Sequence, residues 1–200
     1  MQKLFTEGLS GEKQKQTEIG PIPESWTAET VDKKCNIKNS SMGLNDLARL
    51  NTQSDADEVV FGVKVSDMNL QENGDELKTA NIIMSLPREI ASKKTIPSQA
   101  IVFPKRGAAI ATNKKRLTTT WTVLDPNLIA VIPHEDVHPK YLYYWFLSFD
   151  LRKIQSTGTP PQLNKKDVAP VRFPFPDKRE QIEIADALST VDKKISYALK

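Results

Sequence analysis

The chain has 200 residues, with 28 Lys and Arg against 25 Asp and Glu, a formal net charge of +3 and a mean hydropathy of −0.45. That length suits about one domain with an appendage and is enough for a sizeable core. There is no apolar run near the ~18 residues of a membrane span, no signal-type apolar segment and a single cysteine, Cys35, which excludes an internal disulfide and a Cys-x-x-Cys metal site; the expectation is a cytoplasmic protein without a cofactor.

Residues 1–9 read as the end of a helix stopped at Gly8, and residues 10–20 as a polar linker. Gly20-Pro-Ile-Pro-Glu-Ser-Trp26 follows; its prolines force an extended path, with Ile22 and Trp26 as anchors on the core. A strand or short helix reaches about Lys38, and residues 39–58 are polar and irregular. Residues 59–65 are β-branched and read as a strand; a loop starts at Ser66-Asp67-Met68 and Asn73-Gly74-Asp75 marks a turn.

Residues 97–100 read as a turn and 100–103 as a strand. Pro104-Lys105-Arg106-Gly107 interrupts that strand, and residues 108–111 are expected to resume it. A loop over 112–116 leads into a Thr-rich strand over 117–124. After the turn Asp125-Pro-Asn127, the apolar run 128–132 predicts a buried strand.

Pro139 suits the first position of a helix. Six of the fourteen aromatic residues fall within 141–149, with Leu142, Trp145, Phe146 and Phe149 on one helical face. Such a face could stack bases, but a core helix packed on a sheet is the favoured reading. The helix is expected to end at Gly158, before an amide-rich turn, a short strand over 171–173, two prolines and a new helix from about Asp177. In that last helix Ile184, Leu188, Val191, Ile195 and Ala198 are spaced 4, 3, 4, 3. This is an a/d seam, and on a projecting helix Ile184, Leu188, Val191 and Ile195 would form an exposed oligomerisation stripe.

Two stretches resemble the signatures of a known family. Gly20-Pro-Ile-Pro-Glu-Ser-Trp26 matches a Gly-x-Ile-Pro-x-x-Trp opening. Residues 156–182 run from Ser156-Thr-Gly-Thr-Pro-Pro-Gln-Leu-Asn-Lys-Lys-Asp167 through Val171-Arg-Phe-Pro-Phe-Pro to Glu180-Gln-Ile182. Together they resemble a target recognition domain of the DNA specificity (S) subunit of type I restriction-modification enzymes. The chain departs from it at Ser40-Ser-Met-Gly-Leu44, where many relatives carry Gly-Gly-Thr-Pro. The resemblance implies an α/β (α+β) fold: a target recognition domain with a mixed twisted β-sheet and packed helices, followed by a projecting coiled-coil-type helix. Residues 1–19 would be a helix tail and linker, 20–176 the recognition domain and 177–200 the start of the conserved spacer helix. It also implies a non-catalytic subunit that recognises double-stranded DNA and directs methyltransferase (M) and restriction (R) subunits to a site. A bipartite target would then need a second specificity half or a homodimer. A second expectation, from another class, is a non-catalytic interaction module that docks through its C-terminal helix without useful DNA affinity.

Catalytic motifs give little. His134-Glu-Asp-Val-His138 fits H-E-x-x-H by letter, but Pro139 follows the second histidine and disfavours helical geometry there. No metal site is expected. No Asn/Asp-Pro-Pro-aromatic motif or P-loop occurs, and Asp177 and Glu180 suit a helix start better than a nuclease centre.

The charge distribution points to DNA. Residues 90–124 hold no Asp or Glu but seven Lys and Arg, whereas residues 45–77 hold eight acids and two bases. Such segregation can build a basic face on a nearly neutral protein. Three polar stretches supply the expected contacts: Lys105 and Arg106; Asn113, Lys114, Lys115 and Arg116; and Thr159, Gln162, Asn164, Lys165 and Lys166. Lys114, Lys115 and Arg116 are expected on phosphate, and Arg106 and Gln162 on base edges. Each stretch taken alone also suits an ordinary solvated loop.

Overall fold

A computed structural model describes residues 2–52 and 57–198, with side chains as far as Lys194. At its centre five strands lie in the order Cys35–Lys38, Leu128–Pro133, Ile101–Pro104, Arg116–Thr118, Glu76–Leu77. All neighbours are antiparallel except the last pair, which is parallel. Strand side chains alternate between faces. Ile101, Phe103, Ile129 and Val131 therefore enter one core, and Val102, Leu128 and Ala130 another. Burial on both faces is why residues 128–132 are uniformly apolar.

The first face is covered by the helix Pro139–Ser148 and the C-terminal helix Lys178–Ala198. Pro139 opens the first helix and His138 caps it, its Nδ1 accepting from the Tyr141 amide at 3.4 Å. The aromatic stripe is core, as its spacing predicts: the Phe103 and Phe146 rings lie 5.6 Å apart. This helix stops at Ser148 rather than Gly158. Asp150 caps a separate 3-10 turn, Leu151–Lys153, by accepting from the Arg152 amide.

The second face meets a three-stranded sheet. Glu58–Val63 lies in its middle, parallel to Trp121–Leu124 and antiparallel to Ile82–Leu86. Phe61 and Leu124 face the central sheet, while Val60 and Val123 face outward. The outward core is closed by two short helices, Leu44–Leu50 through Leu47 and Arg88–Lys94 through Ala91.

Several expectations are corrected. Residues 117–124 are not one strand: Arg116–Thr118 and Trp121–Leu124 belong to different sheets. The threonine hydroxyls hold the crossing, with Thr118 Oγ1 donating to the Pro97 carbonyl and Thr120 Oγ1 to that of Val59. Residues 107–112 form a 3-10 helix instead of resumed strand, with Ile110 buried. Residues 2–19 pack with the domain instead of forming a helix tail and linker. Phe5 enters the main core against Tyr141, and Gln14–Thr17 pairs with Gly20–Pro23 in a hairpin, so a boundary at residue 20 falls inside a structural unit.

The exposed seam is also corrected in part. Ile184 and Leu188 are 0% and 6% exposed, in the same core as the aromatic helix. Nearby, Tyr144 Oη lies 3.2 Å from Ser189 Oγ. The first turns of the last helix thus lie against the domain, where a/d spacing serves as a core stripe. Val191 is 51% exposed, and the Ile195 side chain lies outside the described residues.

Candidate nucleic-acid interface

Strand pairing gathers several loops at one end of the central sheet. The registers Lys38↔Ala130, Pro104↔Leu128 and Val102↔Arg116 bring together the ends of two strands and the beginnings of two others. The turn at 125–127 joins this end to the outer sheet: the Asp125 amide bonds the Val63 carbonyl, and the Lys105 amide that of Asn127, each at 2.8 Å.

Two of the polar stretches become one element here. Beyond Pro104 the chain continues as a short ribbon against residues 161–163. The Leu163 amide donates to the Lys105 carbonyl at 2.8 Å and the Gly107 amide to the Pro161 carbonyl at 2.9 Å. Arg106 and Gln162 sit opposite each other as an antiparallel bridge. Ser156 fastens the far side, its amide donating to the Gln162 carbonyl at 2.8 Å and its Oγ accepting from the Gln162 amide at 3.0 Å. Gly107 has φ 66°, a conformation strained for residues with a side chain, which lets the ribbon turn away. Arg106 and Thr159 are exposed and Gln162 is half-buried. Asn164 precedes the single helical turn Lys165–Val168, its amide held by the Asp167 carboxylate at 2.8 Å. Lys165 and Lys166 are exposed on that turn, while Leu163 and Val168 anchor it in the core.

The third stretch is largely internal. Lys115 is 0% exposed, and its ammonium donates to Asn113 Oδ1 and to the Phe149 carbonyl, each at 2.7 Å. Burial brings its pKa from 10.5 down to about 8, against a smaller upward pull from Asp150. Asn113 adopts φ 52°, and its Oδ1 also accepts from the Leu151 amide at 3.0 Å. The Arg116 guanidinium donates to the carbonyls of Met68, Asn73 and Lys115. The expectation that Lys115 and Arg116 meet phosphate is therefore corrected. Their donors bind main-chain acceptors and tie the 112–116 loop to residues 68–73 and 149–151, and Asn113 helps to hold the same junction. Lys114 remains half-exposed and bonds the side chain of Asn69.

One polar partner was not predicted from sequence. Lys105 Nζ donates to Asn39 Oδ1 at 3.0 Å, placing the loop after Cys35–Lys38 beside the Arg106–Gln162 ribbon. Burial, then the neighbouring Arg106, lowers the Lys105 pKa. The available signal was an Asn-Ser-Ser run at the point where the chain departs from Gly-Gly-Thr-Pro.

The two histidines lie elsewhere. His134 follows the opposite end of the Leu128–Pro133 strand, where Pro133 pairs with Cys35, and His138 is a helix cap. The closing motif is structural in its second half. Glu180 accepts from the Trp26 indole at 2.8 Å, so it does more than favour a helix dipole. Gln181 is 0% exposed; its amide nitrogen donates to the Asp136 and Pro176 carbonyls, and its oxygen accepts from the His138 amide at 2.7 Å. Asp177 caps the helix by accepting from the Glu180 amide at 2.8 Å.

Comparison with known proteins bears on the fold and the family. Over 196 residues the chain is 25% identical to the type I restriction enzyme MjaIX specificity subunit of Methanocaldococcus jannaschii, covering 93% of this chain and 42% of that protein. The HsdS subunit from Thermoanaerobacter tengcongensis superposes with a TM-score of 0.63 at 16% identity, over 90% of this chain and 41% of that one. A chain from a type I R-M system structure gives a TM-score of 0.64 at 18% identity, over 88% and 40%. These two structural likenesses show the α/β fold. The chain spans about two-fifths of the length of each of these proteins. The family model for the type I restriction modification DNA specificity domain matches residues 62–199, well over half of the chain, and the protein therefore belongs to that family.

Proposed function

We propose that this chain is a target recognition domain that binds double-stranded DNA in a sequence-dependent way, and that it selects the site for methyltransferase and restriction subunits without doing chemistry itself. The supporting observation is the Arg106–Gln162 bridge at the loop-bearing end of the central sheet. It sets a guanidinium and a carboxamide, the two groups best suited to reading base edges bidentately, side by side on a rigid ribbon. Exposed Lys165 and Lys166 are suited to neutralising backbone phosphate alongside. In this reading the recognition unit takes in the N-terminal segment and the first turns of the last helix, which share its core, and the rest of that helix leads toward a second half-site reader, from a partner chain or a second copy.

The test is an unbiased duplex selection, with the protein alone and with a methyltransferase subunit, followed by titration at several salt concentrations. A recovered motif is expected, with log affinity falling linearly against log salt by about 0.9 per phosphate contacted. Salt-independent binding, or no recovered motif in either format, would reject this reading in favour of an interaction module.

A further inference from the structure

Asn39 lies on a loop whose sequence carries no recognition motif, yet the fold places it on the same sheet end as Arg106 and Gln162. Its amide orientation is fixed by chemistry. Lysine has three donors and no acceptor, so the Asn39 atom 3.0 Å from Lys105 Nζ is the oxygen. The Asn39 nitrogen and its two hydrogens are then on the other side of the amide. Lys105 is itself fixed at both main-chain groups, its amide on the Asn127 carbonyl and its carbonyl on the Leu163 amide. Asn39, Ser40, Gly43, Lys105, Asp125 and Pro126 line a recess of about 210 Å³. Asp125, on the same recess, holds the turn, its Oδ1 accepting from the Asn127 amide at 2.7 Å.

A free asparagine amide reads adenine by pairing one acceptor and one donor with N6 and N7, whereas guanine presents two acceptors, O6 and N7, in the major groove. With one lone pair of its oxygen taken by the ammonium, Asn39 adds two N–H donors to the remaining donors of Lys105, so donors outnumber acceptors in the pair. We infer that Asn39 and Lys105 form a donor-rich pair that reads one guanine, making Asn39 a specificity-determining residue of the recognition surface. This rests on the DNA-binding reading above.

The experiment is duplex selection and titration with the parent chain, N39A and K105M. Asn39 is exposed, so its replacement leaves the core untouched. The parent is expected to select guanine at one position, and N39A to lose that preference by about 5- to 150-fold while keeping the rest of the motif. In K105M the freed amide is expected to accept adenine at the same position. An unchanged motif in both variants overturns the inference while leaving DNA recognition standing. A parent that selects no motif overturns the parent reading, and the inference with it.

Discussion

The indole Nε1 of Trp26 donates to the Glu180 carboxylate across 2.8 Å, although the two residues are 154 positions apart. The other oxygen of Glu180 accepts from the Leu9 amide at 3.2 Å, and Trp26 is 1% exposed. The opening and closing signatures of the chain are thus two halves of one clasp that ties the N-terminal segment to the last helix. Glu180→Ala leaves a buried indole N–H without a partner, which costs about 1–3 kcal/mol. Urea unfolding followed by tryptophan fluorescence should show that loss, and a midpoint equal to the parent's would mean the clasp adds nothing.

Arg106 and Gln162 face each other, and side chains so placed interact. Arg106→Ala is expected to weaken binding to the selected duplex by about 1–3 kcal/mol and to relax preference at one position. The double replacement with Gln162→Ala should depart from additivity by about 0.5 kcal/mol or more. Strictly additive losses in a full double-mutant cycle would show that the two side chains act on DNA independently.

Lysines on the exposed helical turn should behave differently from buried Lys115. Lys165→Ala and Lys166→Ala are each expected to lower the salt slope by roughly one and to weaken all duplexes about equally. Lys115→Ala should instead destabilise the fold, because it leaves the Asn113 and Phe149 acceptors short of a donor. Binding titrations over a salt series, paired with thermal melts, separate the two outcomes. An unchanged melt for Lys115→Ala, with a reduced salt slope, would return that residue to the DNA surface.

Lys115 also predicts a pH dependence. Its folded pKa of about 8 lies below the ordinary 10.5 because burial disfavours the charge. Between those values the unfolded chain holds a proton that the folded one has released, so raising the pH through this window stabilises the fold. Below about pH 8 both states hold the proton and this group adds no slope. Relative to Lys115→Met, the parent should gain on the order of 1–2 kcal/mol between pH 7.5 and 10. Denaturant melts of both proteins at the two pH values measure it; a parent that loses stability relative to Lys115→Met as pH rises would contradict the buried ammonium.

The last helix offers a paired test. Leu188→Glu places a charge in a core position that is 6% exposed and is expected to cost roughly 3–5 kcal/mol. Val191→Glu, at 51% exposure, should leave stability within about 0.5 kcal/mol of the parent. If sedimentation shows self-association by the parent, Val191→Glu is the variant that reports on the helix surface. A stable, folded Leu188→Glu protein would show that the helix does not lie on the domain.

Local pattern determined much of this protein. β-Branched runs gave the strands near residues 59–65 and 128–132, and Pro139 and Asp177 marked two helix starts, because a strand or helix period depends on neighbours a few residues apart. The 20–26 and 156–182 motifs were enough to suggest the family. Tertiary structure alone decided burial and pairing. Lys114, Lys115 and Arg116 are consecutive cations of similar chemistry, yet Lys115 is fully buried and Arg116 bonds three carbonyls, because each faces whatever the fold brings beside it. The 4, 3, 4, 3 spacing records an apolar stripe but not what covers it, and here the domain itself covers Ile184 and Leu188. Arg106 meets Gln162, and Lys105 meets Asn39, through sheet registers that depend on long-range pairing. No spacing along the chain encodes those contacts, since the pairing that creates them joins segments far apart in sequence.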